Sequence, residues 1–458
     1  MANLQKAEFT LSQRGGRQVL HGGHKYRLHV VRQVATHWKC IIVKCKGRCS
    51  TIGDHITSVS EHNHPPLVNE EESRLLTRLR QRVQEEIKPV QQIYNEEIQN
   101  LDEEAAATVA SFYSIKSGLY RQRAKVLPPV PRTRADVDLT GSWTETTDGQ
   151  QFLVVDSEDE DRILIFSTTE MLDILANAET IYMDGTFFVC PSLWQQVYIV
   201  HCLVDGQMFP VAFSLLPSKF RDTYIRLFNY LKDSVLAIVG VELSPSVVQT
   251  DYEAAAIGVT ERVFPDAEVR GCYFHFKQAV WRQVSEKGLV NTYKDNRAFN
   301  THVRRAAALP LLPVDQIQDA WMEVLNQSPD VDGIGQFNDY ITSTWVDYDA
   351  RFPPRIWNQH GNTGPRTNNH LEGFHLGFKK LVQKHLPNIY EFVIAMKKLE
   401  TTIRVARRQI EHGAAVRPRS RLYKNLDSRL HRLQQQLETG RRSPLQFLDA
   451  AGHLIKLN

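Results

Sequence analysis

The chain has 458 residues, 42% hydrophobic and 23% charged, with a formal net charge of +3. That length supports one large core with smaller modules. No apolar run approaches about eighteen residues, and the start has no apolar signal core, so neither a membrane span nor a leader is expected. Six cysteines in so long a chain are not a disulfide scaffold. Three of them, Cys40, Cys45 and Cys49, crowd into ten residues, which points to a metal site in an intracellular protein. The small net charge conceals an asymmetry. Residues 1–66 carry ten Lys/Arg against three Asp/Glu, and residues 376–458 carry seventeen against six, while the middle is acidic. Basic flanks suit a polyanionic partner.

Residues 9–66 form a small unit rich in β-branched and basic residues, closed by Pro65-Pro66. Trp38-Lys39-Cys40, then Cys49, then Glu61-His62-Asn63-His64 offer the thiolates and imidazoles that zinc takes in a tetrahedron. Two histidines one residue apart share a side only on extended chain. His62 and His64 therefore reach one ion, with Cys40 and Cys49 coming from neighbouring strands and Trp38 packed beneath. Cys45 is a rival for either cysteine position. Arg14, Arg17, Lys25, Arg27, Lys44, Lys46 and Arg48 are candidate DNA phosphate contacts, whose binding would depend on salt.

Residues 69–126 read as helices, a DNA-binding or dimerisation region. Leu75, Leu76, Leu79 and Val83 recur at helical spacing, and Pro89 interrupts them. Further pieces run near Glu96–Val109 and Ser114–Ala124. A proline-rich linker covers 127–150. A core over 151–400 then begins with strands at Gln151–Asp156 and around Arg162–Ser167, a helix at Thr169–Ala176, and a strand at Thr180–Val189. Trp194–Val204 and Met208–Leu216 form a hairpin around Asp205-Gly206-Gln207. Helix Thr223–Val239, strand Ser246–Gln249, helix Ala254–Val263 and strand Val269–Tyr273 follow. Three antiparallel strands, helix, strand, helix, strand is the ribonuclease-H-like order, an α/β layered sheet. A helical insertion spans about 276–360, with a break at 309–313, and residues 401–458 form a basic helical end. There Arg404, Arg407, Arg408, Arg417, Arg419 and Arg421 are candidate contacts for flanking or target DNA.

Three acids stand in settings suited to metal-dependent phosphodiester chemistry. Asp184, in Met-Asp-Gly-Thr-Phe, and Asp251, in Gln-Thr-Asp-Tyr-Glu, each follow a strand, and Glu372, in Asn-Asn-His-Leu-Glu-Gly-Phe-His, opens a helix. Mg²⁺ takes hard oxygen ligands, so one or two carboxylates per ion suffice. Two ions about 4 Å apart would serve both the attacking and the leaving oxygen. Gly185 leaves room for a metal or phosphate. Glu253 is expected to cap a helix, and Asp205 to be a turn residue. Cys272 and His275 are an accessory pair, as ligands, as a phosphate contact or as packing.

Two resemblances extend this reading. Residues 9–66, with Trp-x-Cys, a second cysteine near a basic loop and His-x-His, resemble the FLYWCH-type zinc finger. That implies a four-stranded DNA- or protein-binding module holding one Zn²⁺, and the family pattern favours Cys49, in Cys49-Ser-Thr-Ile, over Cys45. Asp-Gly-Thr-Phe at 184–187, Thr-Asp-Tyr-Glu-Ala-Ala at 250–255, Gly-Cys-Tyr-Phe-His-Phe-Lys-Gln at 271–278 and Thr-Asn-Asn-His-Leu-Glu-Gly-Phe-His at 367–375 resemble transposases of Mutator-like elements, over about 150–400. This implies a DDE set at Asp184, Asp251 and Glu372 with two Mg²⁺ or Mn²⁺ ions, a Cys-x-x-His motif at Cys272 and His275, and a helical insertion before the glutamate. It implies a nuclear cut-and-paste transposase acting on terminal inverted repeats and target DNA as a homo-oligomer. The alternatives are a domesticated DNA-binding transcription regulator without catalysis, which the three retained acids disfavour, and another ribonuclease-H-like nuclease.

Overall fold

The structure is a computed structural model. It describes the chain apart from residues 1–4, 13–14, 67–68, 363–368, 416–420 and 458, together with the side chains of residues 11, 369, 370, 372, 422 and 423. Arg14, Arg417, Arg419 and the Glu372 side chain therefore lie outside the described residues. The chain divides into two compact units, one made by residues 1–130 and one by the bulk of 131–458.

The first unit begins with β1 (Glu8–Leu11), β2 (Arg17–His21), β3 (His24–Val31), β4 (Thr36–Cys40), β5 (Arg48–Ile52) and β6 (His55–Val59), in sheet order β1-β2-β3-β4-β5-β6. All pairs are antiparallel. Six strands stand where the resemblance implied four. A bridge between Lys6 and His55 brings the first and last strands together. Alternation sends Tyr26, Trp38, Cys49 and Ile56 into a small core with Ala7 and Val19. The Trp38 Nε1–H donates to Thr51 Oγ1 at 3.0 Å, satisfying the indole where it is buried.

Four helices follow, α1 (Glu70–Glu85), α2 (Val90–Gln99), α3 (Glu103–Thr108) and α4 (Phe112–Arg123). Pro89 sits at the α2 N-terminus, and the expected 96–109 piece is split because the Asp102 side chain caps a new helix start at the Ala105 amide. Arg82 on α1 reaches Glu86, and also Glu96 and Glu97 of α2, at 2.5–2.9 Å; Glu97 is buried. Arg82→Met is expected to cost about 1–3 kcal/mol, because it takes one of two cations from the buried Glu97 and one from the half-buried Glu86 and Glu96. Faster hydrogen exchange of α1 and α2 amides would register the loss, and unchanged protection would refute it. The hydrogen bond from Arg82, helped by Lys88, holds the Glu96 carboxyl down to about 2 from its ordinary 4.5. A depressed acid stabilises the fold above its unfolded value, so this contribution fades as pH falls from 4.5 towards 2.

The second unit is built on a seven-stranded sheet of β7 (Leu153–Asp156), β8 (Leu164–Phe166), β9 (Thr180–Thr186), β10 (Gln196–Val204), β11 (Gln207–Leu216), β12 (Val247–Thr250) and β13 (Glu268–Gly271). Its order is β13-β12-β9-β10-β11-β8-β7. The β9-β10-β11 meander is antiparallel, while β12 runs parallel to both β9 and β13. Asp205 and Gly206 have φ of 50° and 76°, the two positive values of a tight hairpin turn, so Asp205 is the expected turn residue. Helix α5 (Thr169–Ala176) precedes β9, α6 (Arg221–Val239) links β11 to β12, and α7 (Ala254–Val263) links β12 to β13.

The insertion comprises α8 (Tyr273–Glu286), α9 (Val290–Asp295), α10 (Arg297–Ala308), α11 (Ile317–Asn326), α12 (Ile334–Ile341) and α13 (Pro354–Trp357). Next come α14 (Asn369–Val382), α15 (Ile389–Glu411), α16 (Arg421–Glu438) and α17 (Pro444–Gly452). The insertion has its own core around Phe276, Trp321, Trp345 and Trp357, and Phe447 and Leu448 of α17 are part of it. Arg305 of α10 pairs with Asp449 at 2.6 Å. The basic end of the chain thus packs into the insertion. No helix among the described residues is long and apolar enough to cross a membrane.

Candidate functional site

In the first unit, Cys40, Cys45, His62 and His64 gather, with one ligand atom from each lying within 4.8 Å of the others. Cys40 Sγ lies 3.3 Å from His64 Nε2, Cys45 Sγ 3.4 Å from His62 Nδ1, and the two ring nitrogens are 3.3 Å apart. An ion bound tetrahedrally at about 2.0–2.3 Å has ligands roughly 3.3–3.8 Å apart, so the donor set fits zinc. The outer contacts fit as well. Ile42 N–H and Gly47 N–H donate to the Cys40 and Cys45 sulfurs, at 3.4 and 3.2 Å. The distal nitrogen of His62 lies 2.7 Å from the Tyr26 hydroxyl and that of His64 2.8 Å from the Pro65 carbonyl. Such partners fix the tautomer of a ligating ring.

Cys49, expected as a ligand, is not part of the cluster, and Cys45 takes its place. The cause is register. Cys49 lies directly opposite Trp38, and β5 alternation turns it into the core, where burial pushes its thiol up to about 11. Cys45 lies on the loop between β4 and β5, where no pleat dictates its direction. His62 and His64 follow β6 rather than belonging to a strand. Sequence reasoning missed Tyr26 and His24, whose ring stacks on His62 with centroids 3.6 Å apart. Their only sequence signal is proximity to a basic strand. A Cβ at Gly47 would stand 2.5 Å from the His62 ring, which His24 backs on one side. Gly47→Ala is expected to weaken zinc binding by about 10–100-fold; chelator competition measures it, and unchanged affinity would refute the packing argument.

In the second unit, parallel pairing of β9 and β12 matches Tyr182 with Gln249. Continuing that register by two residues sets Asp251 level with Asp184, with both side chains on one side of the sheet. The electrostatics agree with the proximity. Burial, then the Asp184 charge, pushes the Asp251 carboxyl up to about 6. Its Oδ1 is buried with no hydrogen-bond partner among the described residues. On the first turn of α8, burial opposes a charged His275. The hydrogen bond to Cys272 and the charges of Cys272, Asp184 and Asp251 prevail and raise it to about 9. Cys272 and His275 thus belong to the surroundings of the acids.

Helix α14 reaches the same place. His375 Nε2 lies 3.1 Å from Asp184 Oδ2. Glu372 precedes His375 by three residues on α14, a spacing that puts the two backbone positions on one helix face. His375 carried no role in the sequence reading; its signal was that same spacing from a suspected acid. Glu253 stands at the α7 N-terminus, but its side chain makes no capping bond, contrary to expectation. It accepts from Tyr224 Oη at 2.7 Å and from Lys219 Nζ at 2.9 Å, and Tyr224 in turn accepts from Gln196 Nε2. Gly185 makes room for that same Gln196, whose Oε1 would lie 2.6 Å from an added Cβ. Internal packing alone is thus enough to require this glycine.

Of the basic candidates on α15, Arg404 pairs with Glu400 and Asp148 at 2.9 and 3.2 Å, and Arg407 with Glu170 and Glu411 at 2.9 and 3.0 Å. Both fasten α15 within the second unit. Arg408, beside them, contributes positive charge near Asp148. Arg17 lies over the Phe9 ring and 3.9 Å from Asp54. Lys25 is half-buried, with Arg80 and Glu72 of α1 as its charged neighbours.

Residues 9–64 match the FLYWCH zinc finger domain, and residues 180–279 match the MULE transposase domain. The second match contains Asp184, Asp251, Cys272 and His275 and ends before Glu372. No curated protein matches the chain.

Proposed function

We propose that this chain, which joins a FLYWCH zinc finger to a MULE transposase domain, is a cut-and-paste DNA transposase. The finger would hold one Zn²⁺ and bind DNA, and the second unit, read as a ribonuclease-H-like core, would cut and join strands. The observation that carries the reading is the proximity of Asp184 on β9 to Asp251 just past the end of β12, where burial and then the charge of the first raise the proton affinity of the second. Two like charges held this close call for a cation. An orphaned buried carboxylate oxygen on Asp251 gives such a cation a ligand.

Asp184 and Asp251 would hold Mg²⁺, joined by Glu372 from α14. When bound, the metal activates the attacking oxygen and steadies the leaving one. The chain's own groups set the stage. His375 fixes the Asp184 carboxylate through Oδ2. The Gln196–Tyr224–Glu253–Lys219 network braces the loop that carries Asp251. His275, whose proton affinity the two acids and Cys272 raise, would stand beside the acids where a phosphate would enter. Hydrolysis at an element end and attack by the freed 3′-hydroxyl are both in-line displacements at phosphorus, so one site serves both.

The test is cleavage of DNA carrying the element's ends by the purified full chain, with Mg²⁺ or Mn²⁺. Metal-dependent nicking at the ends supports the reading. Tight binding of those ends without cutting under either metal would leave the second reading, a DNA-binding regulator derived from a transposase.

A further inference from the structure

The outer side of the N-terminal sheet carries an arrangement that the fold alone does not account for. Gln18 on β2 lies opposite Arg27 on β3, Arg27 opposite Lys39 on β4, and Lys39 opposite Arg48 on β5. Three cations thus stand in register on three adjacent strands, within about 10 Å of one another across the sheet. Their neighbours along each strand, Tyr26, Trp38, Cys40 and Cys49, are buried, so all three leave the backbone on the opposite side, with the Arg48 guanidinium turning back over the edge to the Gly47 and Cys45 carbonyls. Like charges directly opposite one another weaken a sheet. Two of the three acids of residues 1–66 are engaged elsewhere, since Glu8 pairs with Arg74 of α1 and Asp54 lies near Arg17, while the third, Glu61, follows β6 and makes no ion pair among the described residues. Among the described residues none of the three cations has an ion pair with a carboxylate. Arg48 donates only to the neutral carbonyls of Gly47 and Cys45, at 2.9 and 3.4 Å.

Helix α1 covers another part of this side. Arg74 reaches Glu8, and Arg80 lies close enough to Lys25 for its charge to lower the lysine's pKa. Beyond that helix the Arg27–Lys39–Arg48 row is open, with Arg27 and Arg48 exposed and Lys39 half-buried. A repulsive row left without counter-charge, in a segment of ten basic and three acidic residues, is complementary to closely spaced phosphates.

We propose that this open side of the sheet, through Arg27, Lys39 and Arg48, is the surface that sits on the sugar-phosphate backbone of duplex DNA. The inference rests on the DNA-binding reading above and assigns it a location, with Lys39 as its centre. The loop lysines Lys44 and Lys46, on the zinc side, are outside the contact. The row sets affinity and register, and by itself carries no base specificity.

Salt-dependent binding of a mixed-sequence DNA duplex to the zinc-loaded full chain tests this. Each phosphate contact contributes about 0.9 to the slope of log K against log salt. The triple variant Arg27→Gln, Lys39→Gln, Arg48→Gln should lower the slope by roughly 2.7 and the affinity at 0.1 M salt by on the order of 100-fold or more. Lys39→Arg should leave both unchanged, and so should the pair Lys44→Gln, Lys46→Gln. Zinc content and thermal unfolding of each variant check that the sheet persists; removing mutual repulsion should not unfold it. Arg48 also favours the Cys40 thiolate, and a role confined to the metal would change zinc retention while leaving the slope intact. An unchanged slope in the triple variant, or a drop confined to the loop pair, overturns the assignment while leaving DNA binding standing. Preference for an RNA duplex overturns the choice of DNA. Failure of the wild-type chain to bind any duplex overturns this inference and the transposase reading together.

Discussion

Replacing Cys45 with serine is expected to release the zinc ion and unfold the N-terminal sheet, whereas Cys49→Ala should keep one zinc per chain. The first substitution removes one of four converging ligands. The second removes a core sulfur opposite Trp38 and leaves a small void. The size of the contrast follows from the module's small core, in which Ala7, Val19, Tyr26, Trp38, Cys49 and Ile56 form the buried apolar cluster among the described residues. So few side chains do not offset the ordering entropy of about fifty residues. A structural zinc supplies about 10–16 kcal/mol of folding free energy in such modules. Truncating the buried Cys49 costs about 1 kcal/mol, the scale of a single lost core group. Metal stoichiometry, with hydrogen exchange across β4 and β5, separates the two. Zinc retained by Cys45→Ser with full strand protection, or lost from Cys49→Ala, would put the metal elsewhere.

These two cysteines also mark where the sequence stops being informative. Composition and spacing identify a zinc module and both histidines, because Cys-rich and His-x-His patterns constrain ligand type. Choosing between Cys45 and Cys49 needs the strand register, which depends on Trp38 and Cys49 being opposite each other across β4 and β5. Nothing local announces that pairing. The nearness of the two aspartates of the second unit was easier to foresee. Asp184 and Asp251 each end an apolar, β-branched run, and a parallel neighbour relation follows from the helix between β11 and β12. The hairpin at Asp205-Gly206 was legible for a similar reason, since its turn chemistry is local. His375 was harder. It becomes visible only once α14 is placed against β9, a contact between residues 191 apart in the chain. Gly185 shows what a local argument leaves out, since the Gln196 side chain packed against it comes from the neighbouring strand.

Asp251→Asn should abolish metal-dependent cleavage and, at the same time, make the metal-free protein more stable. Both effects come from one physical fact. Asp251 is buried beside Asp184, which raises its pKa from 3.8 to about 6. An acid whose folded pKa lies above its unfolded value binds its proton more tightly when folded. Its ionisation therefore costs stability, beginning as pH passes 3.8 and complete above about 6. The interval corresponds to on the order of 3 kcal/mol at neutral pH. The amide carries no charge, so the variant should gain about 1–3 kcal/mol at pH 7 and should not lose stability from this source between pH 4 and 7. Mg²⁺ should raise the unfolding temperature of the wild-type chain by mass action and leave the variant's nearly unchanged. Cleavage should fall by roughly 10³-fold or more, since a lost ligand disturbs the stabilisation of both the attacking and leaving oxygens, while affinity for uncut DNA changes little. A carboxylate kept only for packing would show neither the opposed signs nor the loss of the metal response. A variant that still cuts, or one that unfolds more easily than the wild type without metal, would remove Asp251 from the chemistry.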